Sequence, residues 1–329
     1  MGNGPEHPSN VKGRPVSQVN AQRGLSSRQE TAPPTGRRQL SDMRIVQLFI
    51  LPTIILLILM NIFPLIYSLF LSFTNYSVIS SDPPVWVGLD NYTHILSDPD
   101  FWHNFATTGT YALLSVSLQT IVGFALAMLL RSKFAGSGII TTLVLVPMML
   151  SPIVVAVFWR LIFNPSYGIL NPILGFTDIN TSPEWLGDPA LALWAIVIVD
   201  VWQWSPFVML LCLAGLSAIP EYLYEAAAID RASVWFQFRR ITLPQVMPLL
   251  LIAVLFRTIE AFKQFDLVQG LTFGGPGDAT ETVSVELYRL AFQGQFETGL
   301  SSALAYIVLV VIVAISNLYI RALNRLREG

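Results

Sequence analysis

The sequence is poor in the residues that build most protein active sites. Only 12% of its 329 residues are charged, and it contains three histidines and one cysteine. The lone Cys212 excludes an intrachain disulfide and any site made of several cysteines. His7, His94 and His103 do not have the helical spacing of a histidine metal site. We therefore expect no metal ligands in this chain.

Lysine is equally scarce, and Lys12, Lys133 and Lys263 all follow residues other than glycine. A phosphate-binding loop requires Gly-Lys-Ser/Thr, so the chain cannot hydrolyse ATP through such a loop. It also lacks His-Glu-x-x-His and Gly-x-Ser-x-Gly, the signatures of zinc peptidases and serine hydrolases. We expect no catalytic residue and no bound cofactor. The net charge of -2 and the absence of a basic cluster exclude a nucleic-acid partner.

Apolar residues make up 53% of the chain and dominate six long segments with few charges; the fourth is interrupted by Asp200, and the fifth acquires Arg257, Glu260 and Lys263 toward its end. A helix needs about 20 such residues to cross the hydrocarbon core of a bilayer, and only helices or closed barrels satisfy their backbone there. The sequence thus predicts an all-α membrane protein with six transmembrane helices. The predicted spans are residues 48–73, 105–130, 137–162, 190–215, 244–266 and 299–321.

Residues 1–44 have a different composition, with prolines among Ser, Gln and Arg, and too little apolar surface to fold alone. They are predicted to form a disordered tail ahead of a six-span membrane domain at 45–325. The pair Arg37-Arg38 also suggests a twin-arginine signal, but positive charge flanking a first span is the simpler explanation. A cleavable signal peptide is not expected, because the apolar stretch begins late and is too long.

The basic residues determine the orientation. If the N-terminus is cytoplasmic, 15 of the 19 Lys and Arg residues fall in cytoplasmic segments, whereas the opposite orientation leaves four there. The positive-inside rule therefore places both termini and the polar segment 216–243 in the cytoplasm. We expect a multi-pass protein of the plasma (inner) membrane.

The segment 216–243 lies between the fourth and fifth spans and has the composition of a surface helix pair. Pro220 opens a first helix, Glu221 and Glu225 lie one turn apart on it, and Ser233 is placed to cap a second helix that ends near Arg240. A polar helix pair held between two spans is positioned to receive a push from a soluble protein. We call residues 216–243 the coupling segment.

The coupling segment resembles the EAA loop of binding-protein-dependent ABC importers. The similarity rests on Glu225-Ala226-Ala227 and, at the family spacing, Ile241-x-Leu243-Pro244. Further motifs resemble the maltose-type carbohydrate permeases of that family. They are Phe163-Asn164-Pro165 with Tyr167-Gly168, Trp202 with Pro206-Phe207, Leu213-Ala214-Gly215-Leu216, Phe265-Asp266, and Thr272 to Pro276 followed by Tyr288 and Ala291-Phe292.

This resemblance, which covers residues 45–325, implies the type I ABC importer permease fold with cytoplasmic coupling helices. It also implies a heterodimer with a second homologous permease, a cytoplasmic ATPase dimer that holds ATP and Mg²⁺, and an extracytoplasmic solute-binding protein that delivers a sugar. The ATPase-coupling residues carried over are Glu225, Ala226, Ala227, Asp230 and Arg231.

One position departs from the family pattern, because Arg231 stands where glycine is usual. Glycine enters the left-handed backbone region at no steric cost, whereas another residue loses about 1–2 kcal/mol there. Either the turn is built differently, or an acidic group of the ATPase pairs with Arg231.

Candidate substrate residues are polar or aromatic side chains inside the spans, since such groups in lipid usually face a cavity or a partner. Asp200, Gln203, Trp204 and Phe207 share one helical face, and Glu260 and Gln264 are one turn apart. Together they offer hydrogen bonds and aromatic faces to a sugar, and the resembled family has its sugar site on these two helices.

Competing interpretations of these residues remain. Arg257 is expected to neutralise Glu260, and Asp200 pairs either with substrate or with the second permease. Arg257 and Lys263 also favour an anion such as a glycerol phosphate or an acidic oligosaccharide. A secondary transporter has no use for the coupling segment, and a membrane enzyme built on Asp200 and Glu260 lacks a metal-binding repeat.

Overall fold

The computed structural model describes residues 42–132, 134–176, 178, 182–294 and 296–328, and these residues are overwhelmingly helical. Most of the predicted tail and Lys133 lie outside the described residues. The first helix begins at Asp42, within the predicted tail. The helices are α1 Asp42–Leu57, α2 Phe63–Leu71, α3 Asp90–Ser97, α4 Pro99–Leu130, α5 Ser137–Leu145, α6 Pro152–Ile162, α7 Leu170–Ile173, α8 Pro189–Ser217, α9 Tyr222–Ile229, α10 Val234–Gln237, α11 Leu243–Phe262, α12 Asp266–Leu271, α13 Val283–Phe292 and α14 Thr298–Glu328.

The chain forms two units, Met1–Leu57 and Ile58–Gly329. In the first unit, α1 is apolar, and the hydroxyl of Thr53 donates to the carbonyl of Phe49 at 3.3 Å. The second unit contains all the other helices and every residue of the candidate sites discussed below.

Five helical segments among the described residues are long and apolar enough to cross a membrane. Four contain the second, fourth, fifth and sixth predicted spans within a few residues, and Phe49–Leu71 corresponds to the first. The end of the fifth differs: α11 stops at Phe262, and the chain turns before α12 begins at Asp266. The sixth, α14, runs on to Glu328 rather than ending near residue 321.

The third predicted span, 137–162, is not one straight helix. A helical stretch over Ser137–Met149 and α6 meet at an angle of 99°. Proline explains the break, because it restricts the residue before it to an extended backbone, and Ser151, just before Pro152, has ψ 137°. Pro147 lies just ahead of the break and supplies no backbone N–H. The segment is therefore either a broken span or a re-entrant loop.

The core of the second unit is the contact of α4 with α8, against which α11 packs. Gly123 on α4 permits the close approach: a Cβ there would lie 2.6 Å from the carbonyl oxygen of Ser205 and 2.6 Å from Cβ of Val208. More than half of the residues in the most apolar stretch of α8 are buried, a larger share than in the other candidate spans. Helix α8 is thus the central helix around which the others are arranged.

Helices α3 and α13 pack against α14 near its start, where Ile95 and Val283 join Ala303 and Leu304 in one apolar cluster. Glu286 on α13 accepts a hydrogen bond from the side-chain amide of Asn104 at 3.1 Å. Burial raises the pKa of Glu286 above its ordinary value, and nearby Glu281, Asp98 and Asp100 raise it further, while the Asn104 bond lowers it. A partly buried carboxyl group therefore joins the start of α4 to α13.

Candidate functional site

The coupling segment contains the two short helices that the sequence predicts, α9 and α10. The Oγ of Ser233 accepts a hydrogen bond from the backbone N–H of Phe236 at 3.2 Å, so Ser233 is the predicted N-cap. The second helix does not stop near Arg240, however. It continues through a π-helical turn at Phe238–Thr242 directly into α11. The coupling segment and the fifth span therefore share one continuous helix.

Arg231 adopts the left-handed conformation, with φ 51°. Its N–H donates to the carbonyl of Ala228 at 3.1 Å, and the N–H of Ala232 donates to the carbonyl of Ala227 at 2.9 Å. These two bonds define a Schellman motif, the helix ending in which glycine is usual at the left-handed residue. Arg231 thus occupies the left-handed position to which glycine is suited, so the alternative of a turn without a left-handed residue here is wrong.

The surface of the coupling segment is exposed and strongly apolar. Of the predicted coupling residues, Glu225, Ala226, Asp230 and Arg231 are exposed, while Ala227 is buried. Five large apolar side chains are between 52% and 83% exposed, and they are Tyr222, Ile229, Val234, Trp235 and Phe236. Soluble monomers rarely leave so much apolar surface uncovered on so short a segment, so we interpret it as a protein-binding surface.

Tyr224 links α9 to the helical bundle through its hydroxyl group and its ring. The hydroxyl groups of Tyr224 and Thr242 lie 2.9 Å apart, and Thr242 is buried in the π-helical turn. The guanidinium of Arg131, just after α4, lies 4.2 Å from the centre of the Tyr224 ring. A force on α9 therefore reaches both α4 and α11 through Tyr224.

A buried polar cluster joins the three core helices. Asp200 on α8 and Gln119 on α4 are fully buried, and Arg257 on α11 is 4% exposed. Nε of Arg257 donates to Oε1 of Gln119 at 2.8 Å, and its Nη2 lies 3.3 Å from Oδ1 of Asp200. The Gln119 amide donates to Oδ2 of Asp200 at 2.7 Å. Both charges and their hydrogen-bonding groups are thus satisfied inside the bundle, as a low-dielectric environment requires.

Gln203, a predicted substrate residue, contacts the bent segment in this structure. It is fully buried, and its amide nitrogen donates to the backbone carbonyl of Leu150 at 3.0 Å. Leu150 lies at the break before α6, where the helix leaves its carbonyls without regular partners. Gln203 therefore supports the bent segment from the central helix.

The remaining predicted substrate residues lie closer to open space. Trp204, Phe207 and Glu260 line a groove of about 270 Å³ together with Phe256 and Arg257. Gln264 is partly buried beyond the end of α11, and its side-chain nitrogen has no hydrogen-bond partner within the described part of the chain. We call the space lined by Trp204, Phe207, Phe256, Arg257 and Glu260 the aromatic groove. It combines aromatic faces with one exposed carboxylate.

The charged residues near the groove form other ion pairs than the expected one between Arg257 and Glu260. Arg257 pairs with Asp200, and Glu260 pairs with Lys263, the Nζ and Oε1 atoms lying 2.9 Å apart. The expected Arg257–Glu260 pair is therefore wrong, and Asp200 finds its partner within its own chain. The guanidinium of Arg257 also lies 4.6 Å from the centre of the Trp204 ring.

Two residues of this region had not been predicted. Phe256 precedes Glu260 by four residues, so helical spacing alone was a usable signal for its presence on the same face. Gln119 is an uncharged polar residue inside the second span, and such residues usually mark a buried contact or a cavity. The sequence offers no signal that Gln119 meets Asp200 and Arg257.

Comparison with known proteins assigns the chain to a family. The model of the family described as "Binding-protein-dependent transport system inner membrane component" matches residues 119–328, which include the coupling segment and the aromatic groove. The chain belongs to this family. It is a permease component of an ABC transport system, not an enzyme, and it is a multi-pass membrane protein that works with a solute-binding protein.

Several relatives match over almost their full length. The "Trehalose/maltose transport system permease protein MalF" of Thermococcus litoralis is 37% identical over 290 residues, covering 87% of this chain and 96% of the relative. The "Trehalose transport system permease protein SugA" of Mycobacterium tuberculosis (strain ATCC 25618 / H37Rv) is 31% identical over 295 residues, covering 90% of this chain and 93% of the relative.

A solved structure confirms the fold. A chain of "a bacterial ABC transporter involved in the import of the acidic polysaccharide alginate" superimposes with a TM-score of 0.75 at 22% identity, covering 86% of this chain and 96% of that chain. The predicted all-α fold of the type I ABC importer permeases is thereby confirmed.

Proposed function

We propose that this chain is the permease subunit of an ATP-driven importer that carries a sugar or oligosaccharide by alternating access. The observation that carries the proposal is the aromatic groove, in which three aromatic side chains stand beside one exposed carboxylate within the helical bundle. Sugars present both C–H faces that stack on aromatic rings and hydroxyl groups that bind carboxylates. The names of the trehalose and maltose permeases among its relatives support the same substrate class.

Within the groove, we assign direct contact with substrate to Trp204, Phe207 and Glu260. Phe256 and Arg257 join them because they line the same space. Asp200 and Gln203 act from beneath the surface, since both are fully buried and bonded within the chain. Gln264 lies past the end of α11, and its unpaired amide nitrogen makes it a candidate for substrate contact when the helices move.

The energy source is a separate ATPase dimer that holds ATP and Mg²⁺, because this chain has no Gly-Lys-Ser/Thr loop. The exposed apolar side chains around Glu225 are a surface of the kind that such a partner would cover. A second homologous permease completes the pathway, and the solute-binding protein delivers sugar to the opposite side. The distribution of Lys and Arg supports an orientation with both termini in the cytoplasm and the chain in the plasma (inner) membrane.

The continuous helix from α10 to α11 provides the path for the force. Fifteen residues separate Thr242 from Arg257, which corresponds to about 22 Å of helix. When the ATPase dimer closes on ATP, movement of α9 is transmitted through Tyr224 and the π-helical turn to the residues of the aromatic groove. Because the helix is continuous over this distance, movement of the coupling segment can change the exposure of the groove.

Uptake of labelled sugars tests the proposal. In a strain that lacks the gene, the wild-type chain should restore uptake of trehalose, maltose or a maltodextrin. Trp204→Ala should reduce that uptake by about tenfold because the stacking face is lost, while Trp204→Phe retains most of it. Trp194→Ala, which removes an exposed tryptophan elsewhere on α8, is the matched control and should transport normally. Failure of the wild-type chain to restore uptake of any saccharide would refute the assignment.

A further inference from the structure

Arg257 lines the aromatic groove, yet it is held by groups that lie behind it. Its guanidinium contacts Gln119 and Asp200 at 2.8 and 3.3 Å, and its face lies 4.6 Å from the centre of the Trp204 ring. Tyr111 and Ser115, which interact with the Asp200 carboxylate, are also fully buried. The buried cluster therefore fixes the position of the Arg257 guanidinium, and this guanidinium contacts the Trp204 ring.

The charges around the groove cancel in pairs. Arg257 faces Asp200, and Lys263 faces Glu260. Arg257 and Glu260 are the charged residues that line the groove, and Asp200, with no exposed surface, is not among its lining residues. An anionic saccharide entering the groove would thus meet no uncompensated cation, and it would meet the exposed carboxylate of Glu260.

We propose that Asp200 is a specificity-determining residue that acts through Arg257: it neutralises the guanidinium in the groove and thereby selects uncharged saccharides against acidic ones. This inference rests on the proposed sugar transport and names its substrate class. Without the carboxylate, Arg257 would present an unpaired positive charge to the groove, where a carboxylate or phosphate on the sugar would bind it. Asp200 would then set substrate charge without touching the substrate.

Asp200→Asn is the discriminating variant because it removes the charge and keeps the size and the acceptor for the Gln119 amide. The full chain is purified with its second permease and ATPase subunits in nanodiscs, without the binding protein. The probes are maltose and maltobionate, in which the reducing-end glucose is oxidised to a carboxylate, and binding of each is measured by calorimetric titration.

The wild-type complex should bind maltose more tightly than maltobionate. Asp200→Asn should shift the ratio of the two dissociation constants by about tenfold toward maltobionate, because a charged hydrogen bond is gained by the acidic sugar alone. The double variant Asp200→Asn, Arg257→Gln removes both charges and should restore the wild-type ratio. An unchanged ratio in a folded Asp200→Asn complex would overturn the proposal.

A second measurement needs no sugar and separates this inference from the proposed function. Iodide, an anion, and acrylamide, a neutral molecule, quench tryptophan fluorescence, and the contribution of Trp204 is the difference from a Trp204→Phe variant. Asp200→Asn should raise iodide quenching relative to acrylamide by about threefold as the local positive potential attracts the anion. If it does so in a complex that transports no sugar, the charge assignment stands and the substrate assignment fails. No change would overturn the charge assignment.

Removing one partner of a buried ion pair can prevent folding, so a variant of opposite sign accompanies the first. Arg257→Gln leaves the Asp200 carboxylate uncompensated and should lower iodide quenching relative to acrylamide. If Asp200→Asn does not assemble, an unchanged quenching ratio in the assembled Arg257→Gln complex would overturn the proposal. The double variant, which is neutral, should assemble and keep the wild-type quenching ratio.

Discussion

Arg231 adopts a strained backbone conformation that its turn requires. The Schellman motif at the end of α9 requires a left-handed residue, and the chain accepts the strain of a side chain there. Such strain is usually found where it serves function. The exposed guanidinium therefore suggests an acidic group on the ATPase that compensates for the backbone cost.

Arg231→Gly separates the strain from the charge. It should stabilise the end of α9 by about 1 kcal/mol, because glycine adopts this backbone region freely. Hydrogen exchange of the backbone amides of residues 231 and 232, compared between the variant and the wild type, measures this gain. Arg231→Ala loses the guanidinium but keeps the strain. If an acidic partner exists, both variants should weaken ATPase association, and unchanged association in both would exclude that partner.

Glu286 links stability to pH. Its pKa is raised in the folded chain, above all by burial, so folding favours its protonated form. Its contribution to stability is therefore full below the pKa of the unfolded chain and is lost as the pH rises through the folded pKa. In Glu286→Gln, the thermal midpoint of the detergent-solubilised protein should fall less over this window than in the wild type. Asp82→Asn, in an exposed loop, serves as the control, and an equal fall in wild type and Glu286→Gln would contradict the assignment.

At the scale of the helix, the stability of the bundle depends on how closely α4 and α8 approach each other. Helices α4 and α8 meet at Gly123, where a Cβ would overlap the backbone of α8. The same helix carries Gly109, where a Cβ would meet no atom within 4 Å. Substitution of alanine for these two glycines of one helix is therefore expected to have opposite effects on stability.

Gly123→Ala should destabilise the protein by roughly 1–3 kcal/mol, because the core must shift to accept the added methyl group. Gly109→Ala should be neutral or stabilising by up to about 1 kcal/mol, since alanine favours the helix and has room. Thermal unfolding of both variants in the same detergent gives the comparison. Equal destabilisation by the two substitutions would show that the α4–α8 contact does not depend on Gly123.

Part of this fold and of the candidate site could be predicted from the sequence alone. Charge-free runs predict helices well because lipid requires every backbone group to be bonded within its own helix. The 99° bend fell inside such a run, 134–159, and only Pro147 and Pro152 marked it. For the site, local spacing suggested that Arg257 pairs with Glu260, three residues away. Its actual partner, Asp200, lies 57 residues earlier, and helical periodicity contains no information on such a contact.

For the whole molecule, the central question is how a soluble partner drives a membrane pathway. Glu225 is exposed on α9, beside apolar side chains that also face outward. Tyr224, the residue before it, faces inward to Thr242 and Arg131. Adjacent residues on α9 thus face the expected partner and the bundle.

Glu225→Lys should abolish the stimulation of ATP hydrolysis by the sugar-loaded binding protein in the reconstituted complex, because the charge that docks α9 is reversed. Glu221→Lys makes the same charge change one turn earlier, outside the family motif, and should retain most of the stimulation. Stimulated hydrolysis by Glu225→Lys at the wild-type level would remove Glu225 from the coupling mechanism.

The continuous helix from Val234 to Phe262 also gives the chain a fixed register. Each added residue turns everything beyond it by about 100° around the axis and displaces it by about 1.5 Å. One residue inserted between Thr242 and Arg257 would therefore swing the guanidinium and Glu260 away from the groove while leaving the local sequence around each of them intact. The number of residues in this helix is thus as much a part of the proposed substrate site as the side chains themselves, and length should tolerate change here far less than it does in the loops.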